Sequence, residues 1–153
     1  MKLLIHACCA DCLIKMIESL KLEKKFDEIE IYYYNPNIHP RSEYQSRLKA
    51  MQLMFKDFKL IIPDWRPNDY FKVIKEKNKR CFDCWNLRLE KTAKFAKENG
   101  FNQFTSTLLT SEYQNSEKIQ SIGGKIAKKY EIKFLVPKNV CKKLKTKRSE
   151  EHT

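Results

Sequence analysis

The sequence predicts a single α/β domain, a parallel sheet of about four or five strands with helices on both faces. Short runs rich in apolar, β-branched and aromatic residues recur at 2–7 (KLLIHA), 29–34 (IEIYYY), 59–62 (KLII), 103–107 and 132–136 (IKFLV). Between them lie segments of ten or more residues with apolar positions at helical spacing, the pattern of βαβ crossovers. No internal repeat or low-complexity linker divides residues 1–137.

Each element follows from its residues. The run at 2–7 reads as a short buried strand. Leu13, Ile14, Met16, Ile17 and Leu20 then predict a helix over 9–25. The second strand, 29–34, ends where Asn35-Pro36-Asn37 breaks it. Tyr44, Leu48, Met51 and Phe55 set a helix over 41–55, and the strand at 59–62 stops at Pro63. A helix over 68–77 leads to Cys81-Phe82-Asp83-Cys84, and another runs over 84–99 to Gly100. After the weaker strand at 103–107, residues 114–130 read as helical despite Gly123-Gly124, and 132–136 as the fifth strand. Sheets of this kind bind ligands outside the carboxyl ends of their strands. His6-Ala7-Cys8-Cys9-Ala10-Asp11-Cys12 lies at the end of the first strand, and Tyr34-Asn35-Pro36-Asn37-Ile38-His39-Pro40 at the end of the second.

The start of the chain has one Lys before a short apolar run, without a small-residue cleavage site or a stretch near the ~20 residues that span a bilayer. A cytoplasmic protein with no membrane partner is expected. Lys and Arg number 31 against 19 acidic residues, a formal charge of +12 with a pI near 9.4. That excess suits a polyanionic partner, because each neutralised phosphate releases condensed counterions. A Lys-rich solvated surface has the same composition.

In a reducing compartment six cysteines argue for metal or redox chemistry rather than a disulfide framework. Five of them fall in two groups, Cys8/Cys9/Cys12 and Cys81/Cys84. The C-x-x-C spacing lets two thiolates converge on one metal or cluster. Together the groups offer five thiolates, one more than a closed zinc site uses, and adjacent cysteines on an extended chain point apart. Soft thiolates suit zinc or iron–sulfur centres, and the surplus favours iron–sulfur. Asp11 is either a further oxygen ligand or a carboxylate placed by the helix dipole. A thioredoxin-type dithiol would follow the first strand of a βαβ unit, and a phosphate loop would need glycine after strand 1; neither pattern is present.

These residues resemble the QueH-type epoxyqueuosine reductases. The family carries a His-x-Cys-Cys-Ala-Pro-Cys motif, here 6–12, and a Tyr-Asn-Pro-Asn-Ile-His-Pro segment followed by Glu-Tyr-x-x-Arg, here 34–40 and 43–47. Its Arg-Cys-x-x-Cys-aromatic-x-x-Arg-Leu motif is similar to 80–89, and a Thr-Thr-Leu segment with Ser-x-x-x-Asn resembles 106–115. The resemblance covers roughly residues 3–136. It departs at Asp11, where the family usually has Pro, and at the carboxyl end, where a Cys-Gly-Cys-like stretch is replaced by a basic tail, 138–153. That tail is expected to be mobile and shortened relative to the family, and Cys141 takes no role from it.

The resemblance implies a Rossmann-like, nucleotide hydrolase-like fold and an iron–sulfur-dependent reductase of tRNA. Its reaction converts epoxyqueuosine at the wobble position to queuosine, the last step in making that base. It implies a [4Fe-4S] cluster with one additional mononuclear iron nearby, and an electron donor that remains unidentified. Cys8, Cys9, Cys81 and Cys84 would hold the metals, with Cys12 or Asp11 completing them. His6 is either a proton donor or a satisfied core histidine. Asn37, His39, Tyr44, Arg47 and Arg88 are the candidate substrate contacts, with Arg suited to phosphate and Tyr to stacking on an extruded base. Tyr32 and Tyr33 read as sheet packing, and Trp65 and Trp85 as core or rim aromatics. The alternatives are a zinc-stabilised RNA-binding module without catalysis and an inactive, truncated family member. A nucleotide-dependent tRNA thiolation enzyme of related fold would need the missing phosphate loop.

Overall fold

The computed structural model describes residues 2–23, 28–74, 80–111 and 114–137, with the side chains of 22, 23 and 80 excepted. The predicted tail 138–153 with Cys141, and the predicted helix ends at 24–25 and 75–77, lie outside these.

The described residues form β1 (Lys2–His6), α1 (Ala10–Glu23), β2 (Glu28–Tyr32), α2 (Arg41–Met54), β3 (Lys59–Ile61), α3 (Pro67–Val73), α4 (Arg80–Glu98), β4 (Gln103–Ser106), a 3₁₀ turn (Thr107–Thr110), α5 (Ser116–Tyr130) and β5 (Lys133–Phe134). All five strands are parallel, in the order β3-β2-β1-β4-β5. This is the α/β architecture the sequence predicts. β1 is central, and its buried run Leu3, Leu4, Ile5, His6 has neighbours on both edges and both faces.

α1 contacts α2, and α4 packs on α5 and α3. Right-handed crossovers from a central β1 put these two groups on opposite faces of the sheet. α1 buries Leu13, Met16, Ile17 and Leu20, while α4 buries Trp85, Leu89, Ala93 and Ala96 against the same sheet. α5 contributes Ile119, Ile122 and Ile126. Gly123, which the sequence left unexplained inside a helix, is a contact point: a Cβ there would collide with the Phe134 ring of β5. Gly124 next to it faces open space.

Several boundaries differ from expectation: α3 ends at Val73, short of the predicted 77, and β5 is only Lys133–Phe134. β2 ends at Tyr32, although Tyr33 still donates its N–H to the Ile61 carbonyl at 2.9 Å before the chain turns away. α4 begins at Arg80, four residues before the predicted start, so the C-x-x-C pair sits in its first turn and not in a loop between helices. The 3₁₀ turn after β4 had no counterpart in the sequence pattern. No helix among the described residues is long and apolar enough to cross a membrane.

Candidate metal centre

Crossovers run outward from β1 toward β2 and, on the other side, from β4 toward β5, so the loops after β1 and β4 part at their carboxyl ends and leave a crevice. The cysteine loop fills one wall of it. Cys8 donates its backbone N–H to Thr107 Oγ1 at 3.1 Å, and its Sγ lies 3.3 Å from the same oxygen. Thr110 Oγ1 stands 2.8 Å from the Cys12 carbonyl and 2.9 Å from that of Thr107. Ser106 caps the 3₁₀ turn by accepting the Leu108 N–H at 3.1 Å. The turn after β4 therefore clamps the first turn of α1.

Within that clamp the Sγ atoms of Cys8, Cys9 and Cys12 lie within 4.8 Å of one another. The expectation that adjacent cysteines point apart is corrected by the local backbone. Leu13 donates its N–H to the Cys9 carbonyl at 3.2 Å, so the chain is already winding into α1 and the side chains converge. Hydrogen bonds from the Cys12 and Cys9 thiols, helped by Thr107 and the Arg88 charge, hold Cys8 well below the usual thiol range against the effect of burial. Cys12 is pushed up by its hydrogen bonds to Cys8 and Cys9 and by burial. Cys9 is also raised: its hydrogen bond with Cys12 works downward, but that with Cys8, burial and the Cys8 charge outweigh it. A soft cation binding to these clustered sulfurs would displace the protons they share.

Arg88 faces this group from α4. It lies one helical turn from Cys84 on the buried stripe and is only 4 % exposed. Its guanidinium hydrogen-bonds Cys84, and its charge acts on Cys8 and His6. Burial pushes the Cys84 thiol up, with Arg88 opposing. Arg88 Nε has no hydrogen-bond partner among the described residues. A buried cation costs several kcal/mol unless negative charge faces it. A set of metal-bound thiolates would supply that charge.

His6 is fully buried. Its Nε2 donates to the Tyr34 carbonyl at 3.0 Å, which leaves Nδ1 to accept from Ser106 Oγ at 2.9 Å. Burial first, and Arg88 second, lower its pKa to about 3, so the ring is neutral. It ties the ends of β1, β2 and β4 together. Asn35 completes this floor by donating to the Ala7 carbonyl at 2.8 Å, while its own Oδ1 is buried without a partner among the described residues.

The other candidates divide. Asp11 is exposed in the first turn of α1, and Cys81 is exposed in the first turn of α4. Asn37 has a buried, unpartnered Oδ1 among the described residues. His39 is exposed beside the rings of Tyr70 and Phe71. Arg47 is exposed and paired with Glu43 at 2.9 Å. Tyr44 is a core residue, its ring against Tyr33 at 5.2 Å and Trp65 at 5.6 Å, so it is not open to a base. Arg88 likewise faces thiols from within the protein and is not open to phosphate. Tyr32 and Tyr33 are buried in the sheet as expected, and Trp65 and Trp85 anchor loops through Ile38 O at 3.0 Å and Gln114 Oε1 at 2.9 Å.

Thr107, Thr110 and Asn35 carry the geometry of the site without having been singled out in the sequence. Their signal was positional: each follows a strand at its carboxyl end. The donor set, soft and clustered against a buried guanidinium, suits a soft metal centre.

A family model described as epoxyqueuosine reductase QueH matches residues 3–153. A protein of that name from Staphylococcus epidermidis is 34% identical over 150 residues, covering 88% of this chain and 62% of that one. The Streptococcus pyogenes relative is 34% identical over 147 residues, 87% of this chain and 56% of its own. The Dehalococcoides mccartyi relative is 36% identical over 137 residues, 87% and 74%. The chain thus spans about six tenths of the length of the first two of these curated relatives.

Proposed function

The chain belongs to the epoxyqueuosine reductase QueH family, and from that premise we propose that it reduces the epoxide of epoxyqueuosine at the tRNA wobble position to the alkene of queuosine. The reaction takes two electrons and two protons and releases water. The observation that carries the reading is the convergence of three thiol sulfurs on one another at the switch point of the sheet, with the charge of a buried arginine acting on one of them.

In this reading Cys8, Cys9, Cys81 and Cys84, with Cys12 or Asp11 completing them, would hold the metal centres, a [4Fe-4S] cluster and an additional iron. The chemistry such a centre supplies when bound is single-electron transfer and Lewis acidity. The protein's own residues do the rest. Arg88 offsets the negative charge of the thiolates, and Thr107 fixes Cys8. His6 acts as a neutral positioning residue, since both its nitrogens are committed to the sheet ends. Asn37 keeps a buried carbonyl oxygen without a partner among the described residues, and His39 and Arg47 are exposed for RNA contact. The formal charge of +12 supplies affinity for tRNA phosphates in the cytoplasm. The two electrons come from a separate electron-donor partner.

The test is iron, acid-labile sulfide and zinc on protein purified without oxygen, followed by turnover of epoxyqueuosine-containing tRNA with a chemical reductant. Iron with matching sulfide, and loss of the epoxide from the tRNA, are expected. Zinc without sulfide would replace the reductase by a zinc-stabilised RNA-binding module.

A further inference from the structure

The reductase reading leaves one feature at the same end of the sheet unused. α3 buries none of its residues, yet it carries Tyr70 and Phe71, and Phe71 is 52% exposed. Its ring lies 5.5 Å from that of His39 and 5.4 Å from that of Tyr70, with His39 and Tyr70 6.3 Å apart. Three rings, one from the loop after β2 and two from α3, thus meet at the surface, with Phe71 left half in solvent.

The patch is held in place from below. Tyr34 donates its hydroxyl to Asp69 Oδ2 at 2.9 Å, fixing α3 to the end of β2, and Trp65 donates to the Ile38 carbonyl, fixing the loop that carries His39. Exposed cations adjoin it in the chain: Arg41 two residues past His39, Arg66 at the cap of α3, and Lys72 next to Phe71. Aromatic rings interleaved with basic residues are the chemistry of single-stranded nucleic acid, in which bases stack and phosphates pair. The loop that carries His39 follows β2 and α3 follows β3, one and two strand spacings of about 4.8 Å from β1 and its cysteines.

We propose that His39, Tyr70 and Phe71 form a stacking platform for an unpaired base of the anticodon loop, a neighbour of the base that enters the thiol crevice. This rests on the reductase reading and adds to it a contact outside the reacting nucleotide. Phe71 is the central ring, since it stands nearest to both others, at 5.4 and 5.5 Å, and is 52% exposed.

The experiment uses the full chain and a synthetic anticodon stem-loop RNA with 2-aminopurine next to the wobble position, read by fluorescence and anisotropy across a salt series. Phe71→Ala is expected to bind about tenfold or more weakly and to lose the 2-aminopurine quenching. The salt slope should not change, because no phosphate contact is removed. Phe71→Trp should restore both signals, and the thermal melt of each variant should match the wild type, because α3 contributes no buried residue. Wild-type affinity and quenching in Phe71→Ala would overturn the platform while leaving the reductase reading intact. Failure of the wild type itself to bind the stem-loop would overturn both, and shows in the parent protein before any variant is made.

Discussion

Two places at the carboxyl end of the sheet break the ordinary rule of burial, and they break it in opposite directions. Around Cys8 and Arg88, polar atoms that water would normally satisfy are buried, and Arg88 Nε, Asn35 Oδ1 and Asn37 Oδ1 lack partners among the described residues. Around Phe71, apolar surface that the core would normally cover is left in solvent. The first is a place short of negative charge and of hydrogen-bond partners. The second is short of an apolar face to cover it. Each deficit names the chemistry of what would complete it, so the difference teaches more about a ligand than either region does alone.

The comparison breaks first at the thiols. Cys8→Ser removes the one sulfur fixed by Thr107 and favoured as thiolate, and the iron and sulfide content of protein prepared without oxygen should fall to near zero. Retention of wild-type iron would show that the buried region is not a metal centre.

Arg88→Met separates charge from packing. In metal-free protein, replacing a buried cation that lacks a full set of partners by an apolar side chain should leave stability unchanged or raise it. The same change should lower metal content. A large loss of metal-free stability in denaturant unfolding would mean that Arg88 is adequately paired without a metal.

Gly123→Ala calibrates ordinary packing away from both regions. The Phe134 ring must move, at a cost of about 1–3 kcal/mol in unfolding free energy. No change in metal content should follow.

Glu90 supplies a surface reference with a defined pH sign. The hydrogen bond from Lys129, then that from Tyr130, lowers its pKa, so its stabilisation is present above the ordinary carboxylate range and is lost as pH falls through the folded value. At neutral pH Glu90→Gln should lower Tm by no more than about 2 °C, and the gap from wild type should close in acid.

The smallest effect belongs to the ring patch. Phe71→Ser should change stability by less than about 0.5 kcal/mol, as for other surface positions without a structural role. A loss of several times that would make Phe71 part of the fold and remove the contrast with Arg88.

How far the sequence foretold these regions depends on what periodicity records. The strands were legible because buried parallel strands are short apolar runs, and the cysteine loop because its spacing stands alone at a strand end. Tyr44 was legible too, since Tyr44, Leu48, Met51 and Phe55 were the very stripe that predicted α2; only the wish for a base contact set it apart. Arg88 was misjudged by type. Its place between Cys84 and Thr92 on the stripe Cys84, Trp85, Arg88, Leu89, Thr92, Ala93, Ala96 marks it as buried, but charge outweighed position. The start of α4 was missed because Cys81 and Phe82 are exposed and add nothing to that stripe. The 3₁₀ turn is four residues long, too short for any period to show.

The clamp on the cysteine loop also has a history in time. His6 to Ser106, Cys8 to Thr107 and Cys12 to Thr110 are contacts across 98 to 100 residues of chain. At about 5–20 residues per second, a ribosome adds that stretch in roughly 5–20 s. For that interval the three thiols exist without the turn that clamps their loop, so the site they form is complete only after β4 and that turn have been made.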